Sequence, residues 1–198
     1  MAISGWAFGD IYKNIIEYKY EYIDWCNLLK KSIYIENSII IGWSIGGFLA
    51  LDKIRGENNF YIIISAGAKF TTDTNINLIK DMIVNIKEGN VEKVLKQFYR
   101  QVVYPNMNNL KILKILIKNS VYSPECLIEG LEYLLAINIP NDKLKQIDAI
   151  FLGSNKDIIF DIKNLETIEK KFIFENKSHF VLDYKNEINK FLQQQLKK

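Results

Sequence analysis

The run Ser38-Ile39-Ile40-Ile41-Gly42-Trp43-Ser44-Ile45-Gly46-Gly47 constrains this 198-residue chain more than any other stretch. Its β-branched isoleucines read as a strand buried on both faces. The residues after it, to about Arg55, carry apolar side chains at helical spacing. A strand that passes into a helix through so short a turn brings the two elements into close approach, and the positions flanking the serine then have room only for glycine. The serine in such a Gly-x-Ser-x-Gly turn takes a strained backbone conformation and projects its hydroxyl above the sheet. Ser44 is therefore the candidate nucleophile. The backbone N–H of Ile45, at the positive end of the helix that begins there, is a candidate oxyanion donor.

The rest of the chain supplies matching elements. Ala2 to Ser4, Tyr20 to Asp24, Ser38 to Ile41, Phe60 to Ser65, Asp148 to Leu152 and Phe172 to Phe174 read as short apolar strands. Helical patterns are expected between the early ones, from about Asp10 to Tyr18 and from Cys26 to Ser32. Such alternation indicates a parallel sheet covered on both faces. From about Thr74 to Ala136 no strand pattern occurs. Apolar residues recur there at three and four, as in Leu78, Met82 and Ile86 or Val94, Phe98 and Val102. Ser123-Pro124 reads as a helix start, with serine at the cap and proline at the first helical position. About four helices are expected here, inserted as a lid. The division is residues 1–70 and 141–198 for the core and 71–140 for the lid. A last amphipathic helix runs from about Lys185.

A serine hydroxyl needs a base within hydrogen-bond reach, and imidazole has the suitable pKa. His179 is the only histidine. It follows the last strand, where the order Ser…Asp/Glu…His of the α/β-hydrolase fold places the base. The acid belongs after the preceding strand, and Asp157 in Ser154-Asn155-Lys156-Asp157 is the choice. It would hold the imidazole tautomer and stabilise the imidazolium. Asp161 is a rival four residues on, Asp183 is a weaker one, and Asp148 sits at the wrong end of its strand. The second oxyanion donor should come from the loop after the first strand, where Trp6 in Ser4-Gly5-Trp6 is the candidate. These signals together give an α/β-hydrolase fold: a reduced, mostly parallel sheet of about six strands flanked by helices, with an inserted all-helical lid.

Composition narrows the function classes. Apolar residues make up 48% and charged residues 25%, which supports one well-packed domain. A net charge of +3 is too mild for a nucleic-acid binder. Cys26 and Cys126, far apart and with a single histidine, form no metal-binding pattern and read as free thiols of a reducing cytosol. The longest apolar run, Ser38 to Leu51, is interrupted by glycines and shorter than the roughly 20 residues of a membrane span. The expectation is a soluble, cytoplasmic, monomeric protein without metal or cofactor.

Gly42-Trp43-Ser44-Ile45-Gly46-Gly47, with Gly5-Trp6 upstream and Ser178-His179-Phe180 downstream, resembles the BioH-type pimeloyl-acyl-carrier-protein methyl ester esterases of biotin synthesis. Gly130-Leu131-Glu132-Tyr133-Leu134, Lys143 to Ile147 and Gly153 to Asp157 resemble their passage from the lid to the acid strand. Ser4 stands where relatives carry a histidine before the oxyanion glycine, and two leading strands of the relatives have no counterpart. The resemblance implies a serine esterase that releases methanol from the methyl ester of a pimeloyl chain on acyl carrier protein. Trp43, beside the nucleophile, is then expected to contact substrate. Carrier proteins are acidic, so their docking surface should be basic. Between Thr71 and Ser120, Lys and Arg outnumber Asp and Glu eight to four. Lys111, Lys114 and Lys118 share one helix face, and Arg100 with Lys93 and Lys96 offers a second candidate face. Rival readings are another esterase or thioesterase of this fold, or a non-catalytic binding protein.

Overall fold

In a computed structural model, residues 1–73, 75–116 and 122–197 are described. Six strands form one parallel sheet: β1 (Ala2–Ile3), β2 (Tyr22–Ile23), β4 (Ile39–Trp43), β6 (Phe60–Ile64), β7 (Ala149–Ser154) and β8 (Lys171–Phe174), in the order β2-β1-β4-β6-β7-β8. Every pairing is parallel, with Trp43 beside Ile64 and Ile64 beside Leu152. The three central strands are almost wholly buried, which is why they read as continuous apolar runs. A second, two-stranded sheet joins β3 (Ile33–Tyr34) to β5 (Ile54–Arg55). No pattern in the sequence marks these strands, because two residues are too few to show a period.

Helices α1 (Trp25–Lys30) and α2 (Ile45–Lys53) follow β2 and β4. Asp24 caps α1 by accepting from Cys26 N. Among the described residues five α-helices lie between β6 and β7, four of them where the spacing predicts: α3 (Ile76–Lys87), α4 (Val91–Val103), α5 (Leu110–Leu116) and α6 (Pro124–Ala136). Ser123 caps α6, with Pro124 in its first turn. The shorter α7 (Asn141–Gln146) precedes β7, and α8 (Lys185–Gln195) closes the chain.

Two expectations are corrected. The helix expected over Asp10 to Tyr18 is a single 3-10 turn, Tyr12–Asn14. There the Asp10 carboxylate accepts from Tyr12 N, a local bond that competes with helix propagation. The Tyr12 hydroxyl reaches back to Ile3 O at 3.0 Å, so side-chain anchoring replaces the helical ladder. Cys26 and Cys126 are also not free thiols. They form a disulfide between α1 and α6 with a Cα–Cα separation of 6.2 Å. They lie 100 residues apart in sequence, and only the packing of α6 on α1 brings them together. Among the described residues no helix is long and apolar enough to cross a membrane.

Candidate active site

Parallel strands deliver all their carboxyl ends to one edge of the sheet, and the candidate residues emerge from that edge. Ser44 leaves β4 with φ +56° and ψ −127°, in the left-handed region that a non-glycine residue rarely occupies. The turn is as crowded as the sequence requires. A Cβ on Gly42 would lie 2.6 Å from Gly47 Cα, and one on Gly46 would lie 2.5 Å from Ser4 O. The surroundings hold the strained turn: Ser44 N donates to Ile64 O at 2.8 Å, and Gly47 N donates to Ser44 O at 2.9 Å.

His179 lies in the loop after β8, and Asp157 lies in the loop after β7. Both side chains are fully buried, with His179 Nδ1 2.8 Å from Asp157 Oδ2. The carboxylate has three further donors. Ser65 Oγ donates to Oδ2 at 2.8 Å, and the N–H groups of Ile159 and Phe160 each donate to Oδ1 at 2.9 Å. Four donors around one carboxyl group fix its orientation. The Nδ1 proton is thereby directed to Asp157, which leaves the Nε2 lone pair free; this tautomer is assigned from the network. Nε2 is buried and has no hydrogen-bond partner. A buried polar atom without a partner is costly in a purely structural histidine, and it is what a base awaiting a proton presents.

The rival carboxylates are engaged elsewhere. Asp161 accepts from Lys163 N at the start of a 3-10 turn, and Asp148 pairs with Lys170. Asp183 accepts from Ser178 N and Ser178 Oγ and from the side chains of Asn106 and Asn109. Ser65 is a site residue that the motifs do not mark. A signal for it exists all the same, since it ends the strand beside β4 and so falls next to Ser44.

Trp43 does not face substrate as expected. It is completely buried beneath the turn, with its indole N–H donating to His179 O at 2.8 Å and its ring against Phe8. Side chains alternate along β4, so the residue before Ser44 points into the core. Trp6 and Ser44 do line a common pocket, walled by Phe98 of α4, Leu131 of α6, and Ile158 and Ile159 beside Asp157. Its volume of about 40 Å³ has room for only a few waters. A groove of about 230 Å³ between α3 and α4 shares Leu78, Met82, Phe98 and Gln101 with it and reaches a rim at Asp81 and Lys93. Ile45 is buried at the start of α2. Arg100 on α4 and Lys111 and Lys114 on α5 are exposed, whereas Lys118 lies outside the described residues.

No family model matches the sequence, and no curated protein matches it. Solved structures do match its fold. An esterase from Exiguobacterium antarcticum superposes with a TM-score of 0.73 at 19% identity, covering 100% of this chain and 91% of that one. BioG from Haemophilus influenzae gives 0.61 at 15% identity, covering 91% and 88%. MGS-M2, an α/β-hydrolase from a Medee basin deep-sea metagenome library, gives 0.62 at 14% identity, covering 81% and 65%. The chain has the α/β-hydrolase fold, with a six-stranded parallel sheet.

Proposed function

We propose that the protein is a serine esterase that hydrolyses the methyl ester of a pimeloyl chain carried by acyl carrier protein. The observation that carries the esterase reading is the buried Asp157–His179 pair with a free Nε2, tied through Trp43 to the strained Ser44 turn. Ser44 Oγ attacks the ester carbonyl and passes its proton to His179 Nε2. The N–H groups of Ile45 and Trp6 receive the oxyanion. The imidazolium then protonates the departing methoxide, which leaves as methanol. Water, deprotonated by Nε2, attacks the acyl-enzyme and releases the free acid and Ser44. Asp157 orients the ring and stabilises the imidazolium throughout.

The helical segment acts as the lid over Ser44 and sets the length of substrate the site admits. The apolar pocket and the adjoining α3–α4 groove would take an extended acyl chain, with the carrier docked on the basic face of Lys111 and Lys114. The small volume beside Ser44 favours one other reading, an esterase of short acyl groups. A fluorophosphonate probe should label Ser44, and an unlabelled Ser44 would end the esterase reading. Pimeloyl-carrier methyl ester is then compared with aryl acetates. Expression in a biotin auxotroph lacking this esterase should restore growth with the wild-type chain and not with Ser44→Ala. Labelling without rescue, together with fast acetate hydrolysis, would select the short-acyl reading.

A further inference from the structure

The loop proposed to supply the oxyanion donor on Trp6 is held from outside the sheet. Tyr99 of α4 donates its hydroxyl proton to Ala7 O at 2.8 Å. The Tyr122 hydroxyl, just before α6, lies 2.6 Å from Phe8 O and 2.9 Å from Asp24 Oδ2. Trp6 Nε1 donates to Leu127 O in α6 at 2.9 Å. Within the loop, Ser4 Oγ donates to Phe8 O at 2.7 Å and Phe8 N donates to Gly5 O at 3.1 Å. This last bond matters chemically, because Gly5 C=O and Trp6 N–H belong to one peptide plane. Fixing Phe8 fixes Gly5 O, and so aims the Trp6 N–H. Ala7 has φ +61°, a conformation a non-glycine residue keeps only when its neighbours impose it. Burial raises both phenol pKa values, so Tyr99 and Tyr122 stay protonated donors.

The histidine loop is held in the same way. Asp183 accepts from Ser178 N at 2.8 Å and Ser178 Oγ at 2.6 Å, directly before His179. The same carboxylate accepts from Asn106 Nδ2 at 2.7 Å and Asn109 Nδ2 at 2.8 Å, in the connection from α4 to α5.

We infer that the helical segment completes the active site as well as covering it: Tyr99 and Tyr122 position the oxyanion donor on Trp6, and Asn106 and Asn109, through Asp183, position the His179 loop. The inference rests on the serine-esterase reading. Oxyanion donors act only when aimed at the place where charge develops, and a misplacement of about 1 Å costs on the order of 100-fold in rate. An esterase built this way hydrolyses ester only with its helices seated, which couples turnover to a substrate that seats them.

The test uses the full chain and four forms: wild type, Tyr99→Phe, Tyr122→Phe, and Asn106→Ala with Asn109→Ala, each confirmed folded by circular dichroism. Each variant should fall about tenfold or more in kcat for a small aryl ester while KM stays within about twofold, because the hydrogen bond that is removed acts on the transition state. A trifluoromethyl ketone, which adds to the serine and places its oxygen in the oxyanion site, should bind more weakly to the two tyrosine variants by the same factor as kcat/KM. Folded variants that keep wild-type kcat, or tyrosine variants with lower kcat and unchanged ketone affinity, would overturn the inference. Failure of the wild type to react with a fluorophosphonate would instead remove the esterase reading beneath it.

Discussion

The sheet with its edge loops and the helices between β6 and β7 are held together by different means. In the core, parallel strands share a continuous ladder, and the carboxylate of Asp157 takes all four of its donors from core loops and strand ends. The helices bury one apolar stripe each, such as Ile79, Ile83 and Ile86 of α3 or Val94, Phe98 and Val102 of α4. They pack those stripes into the same apolar core as the sheet, with Phe98 against Trp6 and Phe8, and add single side-chain bonds and one disulfide. The contrast indicates a division of work. The carboxylate that orients His179 is held by core loops alone, whereas the loops that carry Trp6 and His179 take part of their hold from the helices.

The comparison is tested hardest at the core. Ser44→Ala and His179→Ala should each lower kcat for ester hydrolysis by about 10⁴-fold or more, with the double variant little worse, because the pair works as one unit. Near-normal steady-state turnover in either single variant would break the assignment. Asp157→Asn comes next, with a fall of about 10³–10⁴-fold and a preserved fold, whereas Asp161→Asn should leave the rate close to wild type. Kinetics on the two purified variants decide between them.

A third variant probes packing alone. Gly46→Ala would drive a methyl group against Ser4 O, so the turn or β1 must move. Overpacking of this kind costs about 1–3 kcal/mol, and for a chain of this size each kcal/mol lowers Tm by about 2–4 °C. An unchanged melting temperature would show that the turn is looser than the structure has it. The smallest effect is expected on the helical side. Reversing Lys111 and Lys114 to Glu should raise KM for a carrier-linked ester at low salt and leave a small free ester nearly untouched. Near 1 M salt, where the Debye length is about 3 Å, the difference should shrink. Equal KM values at low salt would move the docking face to Arg100 and Lys93.

Local pattern made much of the molecule legible. The isoleucine run before a glycine-flanked serine gives both the central strand and the turn, because burial on both faces and close approach at the turn each restrict residue type over a few neighbouring positions. Amphipathic spacing gives the four helices after β6, and the single histidine after the last strand leaves one candidate for the base. Asp157 could be named, but Asp161 and Asp183 stayed open, because a carboxylate in a loop looks alike in sequence whichever way it points.

What the chain's own sequence determined is therefore the set of elements, their order and the residue types at the strand ends. Tertiary structure alone decided how those ends face one another. It turned Trp43 inward under His179, brought Ser65 to Asp157, and assigned Asp183 to the join between the histidine loop and α4–α5. It also replaced the helix expected after Asp10 with an anchored turn, and it paired Cys26 with Cys126. The physical reason is range. Helical and strand periods and tight turns are set by neighbours a few residues apart, whereas the Trp43–His179, Ser65–Asp157, Asn106–Asp183 and Cys26–Cys126 links join residues from 77 to 136 positions apart and exist only once the elements have packed.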